Sequence, residues 1–434
     1  MKKPQFLIAA PSSHSGKTTL TLGLLRALQN RGLQVQPFKC GPDYIDTTHH
    51  TRAARRQSIN LDTFMMSEAH VKELYCHYSS DADVVVTEGV MGLYDGAVKW
   101  EGSSAAIAML LDIPVILVVN AKAMAYSVAP LLFGLKNFNP QVKIAGVIFN
   151  FVNTESHYQF LKDACEDVGI TPLGYIPVNE GIKIPSRHLG LALSGENDYE
   201  AIIEQAAAHI SKWVDIDRLL ALTTQSTSSF EINHSLSSKQ LKIAIARDEA
   251  FNFIYAENIR QLERQGQVIF FSPLHDTVLP QADLLYLAGG YPELYLSALQ
   301  DNLSMRTAIR YYCEQGGRVM AECGGMMYLG QIITDQQGNR HEMCGFMDLE
   351  TSMVDARLSL GYRKVQIDNA VLKGHEFHYS YAKENSPLTT IGQVQNARGK
   401  AVTTPVYRQQ NVVASYIHFY WGEDVAILLS LWNK

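Results

Sequence analysis

The sequence predicts an α/β protein built from two parallel-sheet domains, and two observations carry this prediction. In each half of the 434-residue chain, short apolar runs alternate with helical patterns, and such runs are typical of strands buried on both faces of a parallel sheet. Residues 222–240, in contrast, are rich in Ser and Thr and have no sustained apolar period, which indicates a linker. We therefore expect a first domain over residues 1–221 and a second over residues 241–434.

The elements of each half follow from the apolar runs and the turn-forming residues between them. Four leucines within residues 20–28 fall at helical spacing, and Gly32 follows as a stop, which predicts a helix after the first strand. The strands expected in the first half lie within residues 5–10, 35–40, 83–89, 114–120 and 143–150. Those expected in the second half lie within residues 241–246, 267–272, 283–290 and 317–323.

Composition and charge argue against several classes of protein. The 37 Lys and Arg against 43 Asp and Glu give a net charge of −6, which disfavours non-specific binding to nucleic acid. The N-terminal apolar run is too short for a signal peptide, and Asp112 and Pro114 interrupt the most apolar stretch, so we expect no membrane partner. The six cysteines form no C-x-x-C pair, which favours a reducing cytoplasm without disulfides or structural zinc.

The loop between the first strand and its helix has the pattern of a phosphate-binding loop. Gly16, Lys17 and Thr18 match the end of the Walker A motif, in which N–H groups cradle phosphates, Lys neutralises them and Thr binds Mg²⁺. Pro11 occupies the position of the first glycine and has no N–H, so the loop is a variant whose donors must come from residues 13–18. The residues expected to bind the nucleotide here are Ser13, Ser15, Gly16, Lys17, Thr18 and Thr19.

Charged residues group behind this loop at the ends of neighbouring strands. Lys39, Asp43 and Asp46 follow the second strand, and Glu88 ends the next one, where open α/β sheets bind their ligands. Asp95 lies shortly after Glu88. Mg²⁺ prefers few carboxylates and several waters, so this grouping favours a magnesium site over solvated loop charges. The side chains expected to hold the metal are Thr18, Asp46 and Glu88.

Two further side chains are expected to bind the nucleotide. Lys39 lies in the loop with the acidic residues, and Asn150 ends a strand of the same half. The Asn150 amide has a donor and an acceptor, which fits the edge of adenine. The alternative for Asn150 is a turn-forming role.

The strongest chemical signal of the second half is a cysteine on a sharp turn. An apolar strand ends at Glu322, and Cys323 is followed by two glycines and a Met-rich helical start, the layout of a nucleophile elbow. A thiol there lies at a helix N-terminus, which favours the thiolate. The thiol needs a base, and His418 at a strand end is the candidate. Gly290, at another strand end, and Gly324 are expected to donate the N–H groups of an oxyanion hole.

Together, the phosphate loop and the thiol site resemble the cobyrinic acid a,c-diamide synthases of cobalamin biosynthesis. The matching motifs follow one another in the family's order along nearly the whole chain. In the first half they lie at residues 8–19, 37–46, 87–96 and 187–191. In the second half they lie at residues 246–253, 289–294, 321–329, 374–380 and 415–421.

The resemblance implies an N-terminal P-loop domain like that of dethiobiotin synthetase and a C-terminal class I glutamine amidotransferase domain. It implies Mg²⁺-dependent use of ATP and L-glutamine to amidate the c and then the a acetate side chain of the corrin ring, with ammonia passing through the protein. P-loop synthetases of this kind often pair, so a homodimer is a candidate assembly. By motif, Lys17 and Thr18 hold phosphates and Mg²⁺, and Cys323 and His418 are the nucleophile and its base. The acidic residues implied in metal binding and carboxylate activation are Asp43, Asp46, Glu88 and Asp95.

Two positions depart from the motifs. Many family members have Gly at the position of His14, so the nucleotide geometry is expected to differ. Class I amidotransferases in general carry an acid two residues after the histidine, where this chain has Tyr420. The third member of the Cys–His group is therefore missing or supplied from elsewhere, with Glu423 as the candidate.

Two alternative functions remain open at this point. The same reaction on hydrogenobyrinic acid or nickel-sirohydrochlorin uses identical activating chemistry, so the motifs do not separate these macrocycles. A partitioning-type P-loop ATPase switch belongs to another class, and Cys323 and His418 argue against it.

Overall fold

The computed structural model describes residues 2–184, 186–187, 190–191, 199–226 and 240–432. The chain divides into two compact units, Met1–Asn233 and His234–Lys434. No helix in these described ranges is both long and apolar enough to cross a membrane.

The first unit alternates strands and helices along the chain. Its strands are β1 (Lys2–Ala9), β2 (Val35–Cys40), β3 (Ile59–Leu61), β4 (Val84–Glu88), β5 (Val115–Asn120), β6 (Ile144–Asn150), β7 (Thr171–Ile176), β8 (Ser186–Arg187), β9 (Gly190–Leu191) and β10 (Thr224–Ser226). Its helices are α1 (Lys17–Asn30), α2 (Ile45–Ala54), α3 (Glu68–Ser79), α4 (Ser104–Leu111), α5 (Val128–Phe138), α6 (Glu155–Val168), α7 (Tyr199–Trp213) and α8 (Ile216–Thr223), with a 3₁₀ turn at Glu180–Ile182.

The main sheet of this unit has the strand order β3-β2-β4-β1-β5-β6-β7, and β10 adds to β1. The seven strands of the main order are parallel, and only β10 is antiparallel. Their apolar runs are buried because helices cover both faces, as parallel sheets require. The carboxyl ends of β1, β2 and β4 therefore meet at one edge, where Lys39 lies in register with Glu88.

The second unit contains a parallel sheet and a large antiparallel part. Its strands are β11 (Leu241–Ala246), β12 (Gly266–Phe271), β13 (Leu284–Leu287), β14 (Arg318–Glu322), β15 (Ile332–Thr334), β16 (Arg340–Glu342), β17 (Leu349–Ser352), β18 (Ser359–Ile367), β19 (Ala370–His378), β20 (Tyr381–Glu384), β21 (Gln393–Asn396), β22 (Val406–Gln409), β23 (Val412–Ser415) and β24 (His418–Tyr420). Its helices are α9 (Ala256–Glu263), α10 (Leu296–Asp301), α11 (Leu303–Glu314), α12 (Gly324–Leu329) and α13 (Val425–Ser430), with a 3₁₀ turn at Pro292–Leu294.

The six-stranded sheet of the second unit has the order β12-β11-β13-β14-β23-β22, in which only β22 is antiparallel. Two further sheets of four strands each run β16-β15-β17-β20 and β21-β18-β19-β24. Two buried apolar clusters pack against this unit's sheets. The predicted α/β class with a parallel sheet in each half is confirmed.

The structure differs from the predicted linker at its N-terminal end. Helix α8 continues to Thr223, and β10 pairs with the first residues of β1. Thr is a good strand residue, so the Ser- and Thr-rich composition concealed a short edge strand. Residues 227–239 of the predicted linker, and His188 and Leu189 of the motif at 187–191, lie outside the described residues.

Candidate functional site

The phosphate loop connects β1 to α1, and two of its residues have a positive φ, a backbone conformation that favours glycine. Gly16 has a φ of +89°, and a Cβ there would lie 2.0 Å from the Asn150 side-chain nitrogen. His14 has a φ of +60°, in the left-handed region that favours glycine. The exposed His14 side chain thus occupies a conformation that glycine adopts without strain.

Lys17 lies at the start of α1 and reaches across the loop. Its Nζ donates a hydrogen bond to the Met91 carbonyl oxygen at 2.6 Å. Burial lowers the pKa of Lys17, although the nearby Glu88 acts in the opposite direction. The ammonium is therefore partly desolvated and faces a cavity of about 280 Å³. The predicted residues that line this cavity are Ser13, Gly16, Lys17, Thr18, Thr19, Lys39, Asp43, Asp46 and Glu88.

A cluster of opposite charges occupies the floor of this cavity. Lys39 Nζ donates to Asp46 Oδ2 at 2.5 Å and to Glu88 Oε1 at 2.9 Å. Thr18 Oγ1 donates to the same Glu88 oxygen at 2.9 Å and lies 3.4 Å from Asp46 Oδ2. Two carboxylates, a hydroxyl and an ammonium therefore meet here, and the oxygens are of the kind that Mg²⁺ prefers.

Ionisation in the cluster follows from burial and pairing. Burial alone would raise the pKa of Glu88, but the charges of Lys39 and His50 hold it well below its usual range. Burial opposes the charge of Lys39, yet Asp46 and Glu88 raise the pKa of this lysine well above its usual value. Both groups therefore stay charged across the physiological range.

Three predicted residues make mainly structural contacts. Burial and the neighbouring Asp46 raise the pKa of Asp43 to about 6, and Asp43 Oδ1 accepts bonds from the N–H groups of Ile45 and Asp46 at the start of α2. Asp95 is exposed, does not line the cavity, and accepts a bond from the Gly92 N–H at 3.0 Å. Ser15 is buried and donates to the Ser12 carbonyl oxygen.

Asn150 supports the phosphate loop directly. Its side-chain nitrogen donates to the Ser15 carbonyl oxygen at 3.0 Å, and its side-chain oxygen accepts from the Phe151 N–H at 2.9 Å. Both halves of the amide therefore have a partner within the protein. The adenine role of Asn150 stays a prediction, and the turn-forming alternative agrees with these contacts.

His50 is a residue of this site that the sequence interpretation missed. It is fully buried on α2, and its Nε2 lies 2.6 Å from Glu88 Oε2. The available signal was its spacing of four residues from Asp46, which places both side chains on one face of the helix. Through this bond His50 fixes the orientation of the Glu88 carboxylate.

The second site is built around Cys323, between the end of β14 and the start of α12. Its φ of +46° and ψ of −107° confirm a strained turn at the predicted elbow. The Cys323 N–H donates to the Ser415 carbonyl oxygen at 2.7 Å. Burial, with the charge of Glu293 adding to it, raises the pKa of the Cys323 thiol. Desolvation therefore favours the neutral thiol and opposes the stabilisation of the thiolate that is expected at a helix N-terminus.

His418 is brought next to Cys323 by the backbone of Gly289. A Cβ on Gly289 would lie 2.2 Å from His418 Cε1 and 3.4 Å from Cys323 Cβ. Burial, with the nearby His375 and His378, holds the pKa of His418 well below its usual value. The imidazole is therefore neutral at neutral pH, which is the form that accepts a proton from a thiol.

The two predicted oxyanion glycines also lie side by side. A Cβ on Gly324 would lie 3.3 Å from the Gly290 nitrogen and 2.8 Å from Pro292 Cδ. A Cβ on Gly290 would lie 2.0 Å from the Ala250 carbonyl oxygen. Only glycine fits at these positions, so the backbone groups beside the thiol are closely packed.

The neighbourhood of His418 contains a second imidazole. His375 on β19 stacks against His418 with ring centroids 5.0 Å apart, and its Nδ1 lies 2.9 Å from the Tyr255 hydroxyl. His378 stacks on Tyr416 instead, so the two histidines have different aromatic partners. Glu423 is exposed, and its role as a third group stays a prediction.

We expect Gly289→Ala to lower kcat for glutamine hydrolysis about 100-fold, because the new methyl group must displace the His418 ring by about 1 Å. Steady-state hydrolysis of glutamine in the absence of ATP measures this effect. Gly134→Ala is the matched control, since a Cβ at that position meets no atom within 4 Å. Unchanged kcat in Gly289→Ala would show that the imidazole does not need its observed position.

Comparisons with known proteins cover both units. A family model described as the CobQ/CobB/MinD/ParA nucleotide binding domain matches residues 6–191, and one described as the CobB/CobQ-like glutamine amidotransferase domain matches residues 242–426. The cobyrinate a,c-diamide synthase of Salmonella typhimurium is 40% identical and covers 98% of this chain and 96% of its own. The cobyrinate a,c-diamide synthase of Caldanaerobacter subterraneus is 41% identical, and the match covers 95% of this chain and 94% of that protein. The hydrogenobyrinate a,c-diamide synthase of Brucella anthropi is 40% identical, and the match covers 95% of this chain and 97% of that protein.

These similarities extend over almost the whole length of both partners and include both domains in the same order. They agree with the resemblance found in the motifs and with the nucleotide-binding and amidotransferase folds of the two units. The chain therefore belongs to the cobyrinate a,c-diamide synthase family.

Proposed function

We propose that this chain is a carbon–nitrogen ligase that converts the a and c acetate carboxylates of cobyrinic acid to amides in cobalamin biosynthesis. In each cycle, a substrate carboxylate attacks the γ-phosphate of ATP, giving an acyl phosphate and ADP. Hydrolysis of glutamine gives glutamate and ammonia, and the ammonia displaces phosphate from the acyl phosphate to form the amide. The observation that carries this proposal is the presence in one chain of a lysine-lined phosphate cavity and a Cys323–His418 pair.

In the first unit, the phosphate loop and its lysines would hold the nucleotide. Lys17 and Lys39 place two ammonium groups on one cavity, and they would offset the charge of the phosphates and of the acyl phosphate. No group of three or more His, Cys, Asp or Glu within the described ranges forms a metal cage. Thr18, Asp46 and Glu88 nevertheless suit Mg²⁺, which keeps most of its waters and would polarise the phosphate oxygens.

In the second unit, Cys323 would attack the side-chain carbonyl of glutamine. Neutral His418 would take the thiol proton and return it to the leaving ammonia. The Gly290 and Gly324 N–H groups would stabilise the oxyanion of the tetrahedral intermediate. Water then hydrolyses the thioester, which releases glutamate and restores the thiol.

We further propose that the enzyme works in the cytoplasm, since the six cysteines are thiols rather than disulfides. A homodimer stays a prediction. The second candidate function is the same conversion of hydrogenobyrinic acid, which is favoured by the similarity to the Brucella anthropi protein of that name. A partitioning-type switch is disfavoured, because the relatives named as synthases match the whole chain rather than its nucleotide-binding half.

Incubation with ATP, Mg²⁺ and glutamine distinguishes the macrocycles. Cobyrinic acid, hydrogenobyrinic acid and nickel-sirohydrochlorin are supplied separately, and mass spectrometry counts the conversions of carboxyl to amide. We expect two conversions of cobyrinic acid. Two conversions of hydrogenobyrinic acid alone would favour the second candidate, and none with any macrocycle would contradict the proposed function.

A further inference from the structure

Glu322, the residue before Cys323, is a fully buried carboxyl group that the proposed reaction does not use. Its Oε1 accepts a hydrogen bond from the Phe419 N–H at 2.9 Å, and its Oε2 accepts one from the Tyr286 hydroxyl at 2.8 Å. Phe419 directly follows His418. The side chain next to the nucleophile thus holds the backbone next to the base.

This contact joins two strands that belong to different sheets. β14, which carries Glu322, pairs with β13 and β23 in the six-stranded sheet. β24, which carries His418, pairs with β19 at the edge of a four-stranded antiparallel sheet. Because the two strands share no backbone ladder, the Glu322 carboxyl supplies a direct polar link between them.

A buried carboxyl at this point is costly unless it is satisfied by hydrogen bonds. Burial raises the pKa of Glu322 to about 8, so the group is mostly neutral at pH 7. A neutral hydrogen-bonding group is suited to hold a backbone N–H without adding a charge beside the thiol. Glutamine has the same shape and the same hydrogen-bonding capacity at the Phe419 N–H.

We propose that Glu322 is a positioning residue of the glutaminase site, which fixes the β24 backbone so that His418 stays in reach of Cys323. This inference rests on the proposed roles of Cys323 and His418. It places the effect of Glu322 on proton transfer rather than on the binding of glutamine. The turnover number, and not KM for glutamine, should therefore respond to its removal.

The test compares Glu322→Leu with Glu322→Gln in ATP-independent glutamine hydrolysis. We expect Glu322→Leu to lower kcat about 100-fold, which is the effect of displacing the His418 side chain by about 1 Å. We expect KM for glutamine to change less than about threefold. We expect Glu322→Gln to recover most of the lost kcat, because its amide oxygen still accepts from the Phe419 N–H. Should Glu322→Leu not fold, Glu322→Asp serves instead, since its shorter side chain does not span the same distance, and we expect about a 10-fold loss of kcat.

Two reference variants distinguish a positioning role from general loosening of the strand and from failure of the proposed function. Val319→Ala removes buried volume from the same strand, in an apolar cluster that contains no residue of β24, so it reports loosening of β14 and should keep kcat. Cys323→Ala reports the proposed function itself and should lose hydrolysis. Normal kcat in Glu322→Leu, equal losses in Val319→Ala, or no recovery in Glu322→Gln would overturn the positioning role. Retained hydrolysis in Cys323→Ala would instead overturn the proposed function.

Discussion

Replacing Cys323 by Ala is expected to abolish glutamine-dependent amidation, with a loss on the order of 10⁴-fold or more. The thiol is the group that would bond to the glutamine carbonyl, and the Ala side chain has no nucleophilic atom to replace it next to Gly289 and His418. The measurement is amide formation on the corrin substrate with ATP and glutamine.

Free ammonia provides the decisive comparison for this variant. The carboxylate would be activated in the first unit, where Lys17, Thr18 and Lys39 line the cavity, and none of these residues is changed. Amidation by Cys323→Ala with an ammonium salt should therefore proceed within about threefold of the wild-type rate, since only the source of ammonia is lost. Equal losses with both nitrogen sources would contradict the assignment of two separate sites.

Local sequence patterns predicted the parts of the two sites that are formed by residues close together in the sequence. The phosphate loop lies between a strand and a helix as the Gly16-Lys17-Thr18 pattern indicates, and Cys323 lies on the strained turn that its glycines indicate. Both structures arise within about ten residues, so their signals are contained in one short segment. Gly290 and Gly324 lie close to each other, and their role in an oxyanion hole stays a prediction.

The missed residues depend on partners that are distant in sequence. His50 meets Glu88 across 38 residues, His375 meets Tyr255 across 120, and Glu322 meets Phe419 across 97. The spacing of His50 from Asp46 indicates a shared helix face, but a single sequence does not show which distant residue each of these side chains meets, because each residue alone resembles a surface or core position. Asp95, an acid in a matching motif, is exposed and accepts a bond from its own loop, so its role in carboxylate activation stays a prediction.

The antiparallel sheets of the second unit were missed for another reason. β18 is polar at several positions, and its buried residues are Arg363, Val365 and Ile367, so it lacks the apolar run of a parallel strand. The signal lay in the turn instead. Ile367 pairs with Ala370 across a two-residue loop in which Asp368 has a φ of +49°, a short Asp-Asn connection of the kind that closes hairpins.

Lys17→Ala is expected to reduce amide formation at least about 100-fold with glutamine and with ammonia alike. The Lys17 ammonium, at the start of α1, faces the cavity, and burial has already removed part of its hydration, as its lowered pKa indicates. A partly desolvated ammonium stabilises the charge of the transferred phosphoryl group more strongly than a fully solvated ammonium does. The measurement is the rate of ADP release together with amide formation.

The same variant distinguishes loss of phosphate binding from general damage. Glutamine hydrolysis without ATP should persist in Lys17→Ala, because Cys323 and His418 lie in the other unit. Lys212→Ala, an exposed lysine of the first unit, is the matched control and should keep full synthesis. Unchanged amide formation in Lys17→Ala would contradict the phosphate role, whereas a parallel loss of hydrolysis would mean that the substitution disturbs more than the nucleotide site. We expect Cys323→Ala to lose amidation with glutamine only, and Lys17→Ala to lose it with both glutamine and ammonia. Together, these two results would assign ammonia production and carboxylate activation to different residues.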